Sequence, residues 1–219
     1  MSKTVSFETG IVELKQQREY EYFYAEMVPC VSAIGAPKRN LAADLEDSMA
    51  QILKGIDRYK SLDTKTGVPW WFIAILHCME SGCRFNSHIH NGDPLTARTV
   101  NVPKGRPLHG TPPFAWEDSA IDAFTMHMFM APTVLRGADG KPDWTLATSL
   151  WRFERWNGMG YRLHGVRTPY LWAGSSMEQP GRYIADGKWD ASTWSKQIGA
   201  AVLLKTLVTR GLAKSPPID

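Results

Sequence analysis

Apolar side chains recur at helical spacing along much of this chain. In residues 11–27 they stand among Glu, Lys, Gln and Arg, and in residues 41–59 they form a single stripe. Apolar residues three and four positions apart share one face of a helix, so both segments are predicted to be amphipathic helices. Similar patterns predict further helices over residues 116–130, 144–156 and 192–209.

Residues 68–82 have a different pattern, because they are apolar on nearly all sides and rich in tryptophan. Gly67 and Pro69 stand at the start of this segment, and proline is well suited to the first turn of a helix. A helix that is apolar all round is predicted to be a central, buried one. Glu80 ends this run, where poor solvation should raise its proton affinity, the property required of a general acid.

Two segments lack helical periodicity and are rich in glycine and proline, residues 82–113 and 157–190. In the first, the alternation over residues 96–102 predicts a small β-hairpin after the Glu80 helix. Long irregular segments within a compact domain are usually functional. We therefore predict a mainly α fold in one domain over residues 1–219, with N-terminal helices over 1–66 and a catalytic core over 67–219.

Composition narrows the possible functions. The chain has 219 residues, 43% of them hydrophobic, which is enough for a substantial core, and its net charge of +3 is too small to indicate nucleic acid. Its three cysteines have no framework spacing, so we expect reduced thiols and a reducing compartment. We see no signal peptide and no membrane anchor, and we expect synthesis in the cytoplasm.

Two carboxylic residues are placed to act as a pair. Glu80 is followed thirteen residues later by Asp93, in the polar stretch His88-Ile89-His90-Asn91-Gly92-Asp93. Glycoside hydrolysis needs one protonated carboxyl for the leaving oxygen and, commonly, a second group that activates water or stabilises positive charge. Asp93 precedes Pro94, however, and the ordinary interpretation of such an aspartate is a turn former.

Several motifs of this sequence resemble those of a known family. The Glu80-Ser81 pair at the end of an apolar helix, followed by a hairpin and by residues 155–161 (Arg-Trp-Asn-Gly-Met-Gly-Tyr), resembles the lysozyme-like superfamily. The later stretch is similar to the Tyr-Asn-Gly type motif of lytic transglycosylases. Residues 89–100, 102–107 and 168–172 together resemble phage and bacterial proteins of the lysozyme family. The resemblance covers about residues 68 to 204.

The resemblance implies a lysozyme-like fold and cleavage of β-1,4 bonds in the glycan strands of peptidoglycan, with Glu80 as the acid. It also implies that Asp93, with Thr96 or Thr99, positions the attacking water. This mechanism inverts the anomeric carbon if the two carboxyls stand roughly 6.5–9.5 Å apart. The resemblance further implies an endolysin-like protein that acts on the wall after release. Substrate contacts are expected from Ser81, His90, Asn157, Tyr161, Tyr170 and Trp172.

Three alternatives remain open from the sequence. Without a second carboxylate, the substrate's own acetamido group or a lytic transglycosylase route becomes more attractive, although the Gly-Leu-Met-Gln signature of transglycosylases is absent. A zinc-dependent amidase or peptidase would use thiols and imidazoles from the region between His77 and His109. A non-catalytic glycan-binding or virion protein could keep the same scaffold. We expect a monomer without metal or cofactor.

Overall fold

The computed structural model describes residues 14–127, 142–185 and 187–218, and this part of the chain is mainly helical. Contacts divide the chain into two compact units, which we name the terminal unit (residues 1–45 and 135–219) and the inserted unit (residues 46–134). None of the described helices is long and apolar enough to cross a membrane. The single domain over 1–219, with its division at residue 66, stays a prediction.

The described elements follow one another in the order of the chain. They are α1 (Leu14–Glu26), α2 (Leu41–Lys54), α3 (Ile56–Thr66), α4 (Trp70–Ser81), α5 (Trp116–Met126), α6 (Leu146–Asn157), a 3-10 helix (Met159–His164), α7 (Pro169–Trp172), β1 (Arg182–Ala185), β2 (Lys188–Asp190) and α8 (Ala200–Thr209).

Helix α4 is the buried centre of the inserted unit, as its sequence predicts. Pro69 stands directly before its first residue, and its side chains from Trp71 to His77 are all buried. It packs against α3, and Gly82 ends it in the left-handed backbone region with φ +59°. The backbone N–H of Gly82 donates to the carbonyl of Cys78 at 3.0 Å, which satisfies one of the free carbonyls at the helix end.

In the terminal unit, α6 packs against α1, α7 and α8, and α7 also packs against α8. Strands β1 and β2 form an antiparallel hairpin, with Tyr183 opposite Trp189. Among the described glycines, Gly199 has the least room for a side chain. A Cβ atom on it would lie 2.2 Å from the carbonyl oxygen of Leu171. Helix α8 therefore begins directly after a residue that must lack a side chain.

The structure corrects several sequence-based boundaries. The helix predicted over 41–59 is two helices separated at Gly55, where a Cβ atom would lie 2.7 Å from the Phe85 ring. The last helix begins at Ala200 rather than at residue 192. Helix α5 ends at Met126, and residues 128–130 of its predicted range lie outside the described residues.

The predicted hairpin after the Glu80 helix is wrong in position. No strand is assigned within residues 82–113, all of which are described, and the two-stranded hairpin lies at 182–190. A single antiparallel bridge joins Ser87 to Pro94. The alternation over 96–102 does not form a strand because its backbone amides bond elsewhere, those of Val100 and Asn101 to a side chain of the same loop.

Candidate active site

Glu80 is the penultimate residue of α4 and is half-buried. The neighbouring Ser81 is buried, and its hydroxyl donates to the carbonyl of His77, one turn back in the same helix, at 3.1 Å. This bond directs the Ser81 hydroxyl to its own helix. Its predicted contact with substrate stays a prediction.

The turn that carries Asp93 packs against the end of α4. Gly92 has φ +80°, and a Cβ atom on it would lie 3.2 Å from the carbonyl oxygen of Glu80. Glycine is suited to both requirements, the left-handed backbone and the close approach. The spacing in the sequence therefore corresponds to a real contact between the segment ending in Glu80 and the segment containing Asp93.

The carboxylate of Asp93 is buried and accepts four hydrogen bonds from its own loop. Oδ2 accepts from the backbone N–H groups of Val100 (2.8 Å) and Asn101 (3.0 Å) and from the Asn91 amide (3.1 Å). Oδ1 accepts from the Asn101 side-chain amide at 2.7 Å. A carboxylate has about two acceptor positions on each oxygen, so Oδ2 is fully used and Oδ1 keeps one position.

These contacts also fix the charge state of Asp93. Burial alone would raise its pKa, but the donors from Asn101, Val100 and Asn91 outweigh burial and lower the pKa below its ordinary value. Asp93 is therefore an ionised group that organises the loop. To hold the attacking water as predicted, it would use the remaining acceptor position on Oδ1, and this role stays a prediction.

The two candidate threonines differ in position. Thr96 is exposed, whereas Thr99 is buried inside the loop. The Thr99 hydroxyl donates to the carbonyl of Pro103 and accepts from the backbone N–H of Arg106 at 2.9 Å. Of the two, only Thr96 is exposed to solvent, and both catalytic roles stay predictions.

His90 lies inside a buried polar cluster. Its Nε2 pairs with Asp122 Oδ2 at 2.9 Å, and its Nδ1 lies 3.4 Å from the Ser119 hydroxyl. That hydroxyl is 2.7 Å from Nδ1 of His88, whose Nε2 donates to the carbonyl of Ala97 at 2.8 Å. Burial lowers the pKa of His90 in spite of Asp122, and so favours the neutral form of the ring.

Sequence reasoning missed the part that Asp122 has in this cluster. Asp122 also accepts from the backbone N–H of Leu108 at 3.0 Å and lies 3.5 Å from Arg106. The available signal was its position one turn after Ser119 on α5, which puts both side chains on the same helix face. Arg106, Leu108 and Asp122 also line a cavity of about 420 Å³ in the inserted unit.

The remaining predicted substrate contacts lie in the terminal unit, three of them at two pockets and one in the interior. Asn157 and Tyr161 line one pocket of about 520 Å³, together with Tyr183 of β1. Trp172 lines a second, polar pocket of about 270 Å³ beside Arg162. Tyr170 is buried in the interior. Aromatic and amide side chains are thus present at two pocket walls of this unit.

Two of the histidines considered for zinc have other partners on both ring nitrogens. His77 bonds the Tyr59 hydroxyl through Nδ1 at 2.8 Å and the carbonyl of Arg84 through Nε2 at 3.1 Å, and both nitrogens of His88 are also bonded. Among the described residues, no group of three or more His, Cys, Asp or Glu side chains is arranged to hold a metal ion.

Comparisons with known proteins gave no match: no family model, no curated protein and no solved structure corresponds to this chain.

Proposed function

We propose that this protein cleaves the β-1,4-linked glycan strands of peptidoglycan, with Glu80 as the general acid, on a lysozyme-like fold. The observation that carries the proposal is the placement of Glu80. It is a half-buried carboxyl at the end of a buried apolar helix, in contact through its carbonyl oxygen with the Gly92 turn. An acid so placed can give a proton to a leaving oxygen while its surroundings restrict water.

In the hydrolytic route, Glu80 protonates the glycosidic oxygen and a water molecule attacks the sugar carbon from the opposite face. The polar loop after α4 supplies the groups that would hold this water. Thr96 is the exposed hydroxyl of that loop, and Asp93 is its buried carboxylate. The product of this route is a new reducing end.

A lytic transglycosylase reaction is the second candidate, and the hydrogen bonding of Asp93 favours it. With three donors on Oδ2 and one on Oδ1, Asp93 has a single acceptor position left for a nucleophilic water. Attack by a hydroxyl of the substrate sugar itself needs no such water. This reaction leaves an anhydro sugar, and it uses the same acid, Glu80.

The test is product analysis by mass spectrometry after incubation with purified peptidoglycan. Glu80→Gln keeps the size of the side chain but removes the acid, so glycan cleavage should fall about 100-fold or more. Asp47→Asn is the matched control, because Asp47 is an exposed carboxylate of the same unit. It should cleave like the unmodified protein.

The chemistry of the new ends separates the two routes. Reducing ends identify hydrolysis, and anhydro ends identify the transglycosylase reaction. Cleavage that is unchanged in Glu80→Gln would remove Glu80 from the mechanism. If the unmodified protein releases no glycan fragments, the proposed activity is wrong.

A further inference from the structure

Two cysteines meet at the end of α4. Cys78 lies in its last turn, and Cys83 is the second residue after it. Gly82 and Cys83 both have left-handed backbone, with φ +59° and +58°, and the N–H of Cys83 donates to the carbonyl of His77 at 3.2 Å. This reversal of the chain brings Cys83 back beside Cys78, so that each thiol acts on the acidity of the other.

The backbone at Cys83 indicates that the position is unusual. Residues other than glycine, asparagine and aspartate rarely adopt the left-handed region, which costs an ordinary side chain about 1–2 kcal/mol. Such strained positions concentrate at functional sites. At Cys83 the strained backbone places a thiol against a second thiol.

The two thiols differ in exposure and in acidity. Cys78 is half-buried, whereas Cys83 is buried. Hydrogen bonds from Cys83 and from the Ser48 hydroxyl lower the pKa of Cys78 against the effect of burial, while the bond to Cys78 and burial raise the pKa of Cys83. A more acidic, more accessible thiol beside a buried partner is the arrangement of an attacking and a resolving cysteine.

We propose that Cys78 and Cys83 form a reversible disulfide by exchange with low-molecular-weight disulfides such as oxidised glutathione. The Cys78 thiolate attacks one sulfur of oxidised glutathione and releases one glutathione thiolate. Cys83 then gives up its proton and attacks the Cys78 sulfur, which releases the second glutathione. The protein loses two thiols and gains one disulfide, and oxidised glutathione is reduced to two glutathione molecules.

This disulfide would close a six-residue ring that contains Glu80 and Ser81. The cross-link would therefore fix the turn on which the candidate acid lies. The thiol chemistry itself does not depend on glycan cleavage, so it can be tested whether or not the proposed activity is found.

The experiment equilibrates the full chain in glutathione buffers of graded reduced-to-oxidised ratio, quenches with acid, alkylates the free thiols and maps them by peptide mass spectrometry. Cys30 belongs to the terminal unit, so Cys30→Ser is the matched control. In the unmodified protein and in Cys30→Ser, Cys78 and Cys83 should lose their reactivity together and carry no glutathione.

The single variants test the order of the steps. Cys83→Ser should stop at a mixed disulfide with glutathione on Cys78, and Cys78→Ser should leave the buried Cys83 unmodified. If circular dichroism shows that either variant is unfolded, the test rests on whether Cys78 and Cys83 form a disulfide in the unmodified protein and in Cys30→Ser. The proposal is overturned if Cys78 and Cys83 stay free in the most oxidising buffer, or if Cys78 keeps glutathione while Cys83 is free.

Discussion

The Asp93 carboxylate joins the backbone of its loop to two amide side chains. In Asp93→Asn, one carboxylate oxygen is replaced by an amide nitrogen that cannot accept, and the remaining oxygen is uncharged. The bonds from Val100, Asn101 and Asn91 are therefore weakened or lost. We expect the free energy of unfolding to fall by about 2–4 kcal/mol, since bonds to a charged acceptor are among the stronger ones. Urea unfolding measures this change.

The exposed Asp47→Asn again serves as the control and should unfold like the unmodified protein. A variant Asp93→Asn that keeps its stability but loses glycan cleavage would contradict the loop-organising role and support the water-holding one. Loss of both properties in proportion would leave Asp93 a structural residue.

His77 should make stability depend on pH. Burial lowers its pKa from 6.5 to about 4, so the unfolded chain binds a proton between these values while the folded chain does not. Stability is therefore fully present above about pH 6.5 and falls as the pH is lowered towards 4, by on the order of 3 kcal/mol. Unfolding at a series of pH values measures the loss.

His77→Gln isolates this contribution, since glutamine does not titrate and can still bond the Tyr59 hydroxyl. The variant should lose less stability than the unmodified protein between pH 6.5 and 4. Equal slopes in this range would assign the acid sensitivity to other groups.

Some of the site could be predicted from single residues, and some could not. Glu80 at the end of an apolar run and Asp93 after a glycine are local signals, and both could be named from the sequence. The contact of Gly92 with the Glu80 carbonyl is a tertiary one that these signals do not contain. The donors to Asp93 could not be predicted, because they depend on the path of an irregular loop seven and eight residues later. The same holds for His90 and Asp122, which are 32 residues apart.

Some helix ends could be predicted from neighbouring residues in the sequence, and others depend on packing in the folded protein. Helix α4 has nearly its predicted bounds because a proline before it and a glycine after it are local start and stop signals. The break at Gly55 and the start of α8 after Gly199 reflect packing, since a side chain at either position would meet Phe85 or the Leu171 carbonyl. Hydrophobic periodicity carries no information about such contacts.

Gly199→Ala tests the junction of α7 and α8. The added Cβ would lie 2.2 Å from the Leu171 carbonyl oxygen and 2.9 Å from the Ala173 nitrogen, so the backbone must move. We expect a loss of about 2–4 kcal/mol in the free energy of unfolding, as for other substitutions that overpack a buried contact. Thermal unfolding measures it.

Gly211→Ala is a useful comparison, because nothing lies within 4 Å of a Cβ at Gly211 although its φ is +68°. It should lose only the cost of the left-handed backbone, about 1 kcal/mol. Gly199 itself has φ −73°, so the left-handed cost does not apply to it. If Gly199→Ala keeps the stability of the unmodified protein, the close approach at Gly199 contributes nothing.

A buried ionic network joins distant parts of the terminal unit. Glu154 of α6 accepts from Arg162 at 2.9 and 2.8 Å and from the Tyr20 hydroxyl of α1 at 2.5 Å. Arg162→Met would leave the Glu154 charge buried without the guanidinium, and we expect a loss of about 3–5 kcal/mol. Chemical denaturation measures it, with the exposed Arg18→Met as control.

The double variant Glu154→Gln, Arg162→Met separates charge from packing. Because it removes both charges, it should lose clearly less stability than Arg162→Met alone. Equal losses in the single and double variants would mean that the network contributes through shape rather than charge.

The same network sets an order for folding during synthesis. Tyr20 and Glu154 are 134 positions apart, and the inserted unit lies between them along the chain. Helix α1 leaves the ribosome long before its partner α6 exists, whereas every residue of the inserted unit is made before α6 begins. The inserted unit can therefore complete its interior before the terminal unit does. During this time α1 has no α6 to pack against.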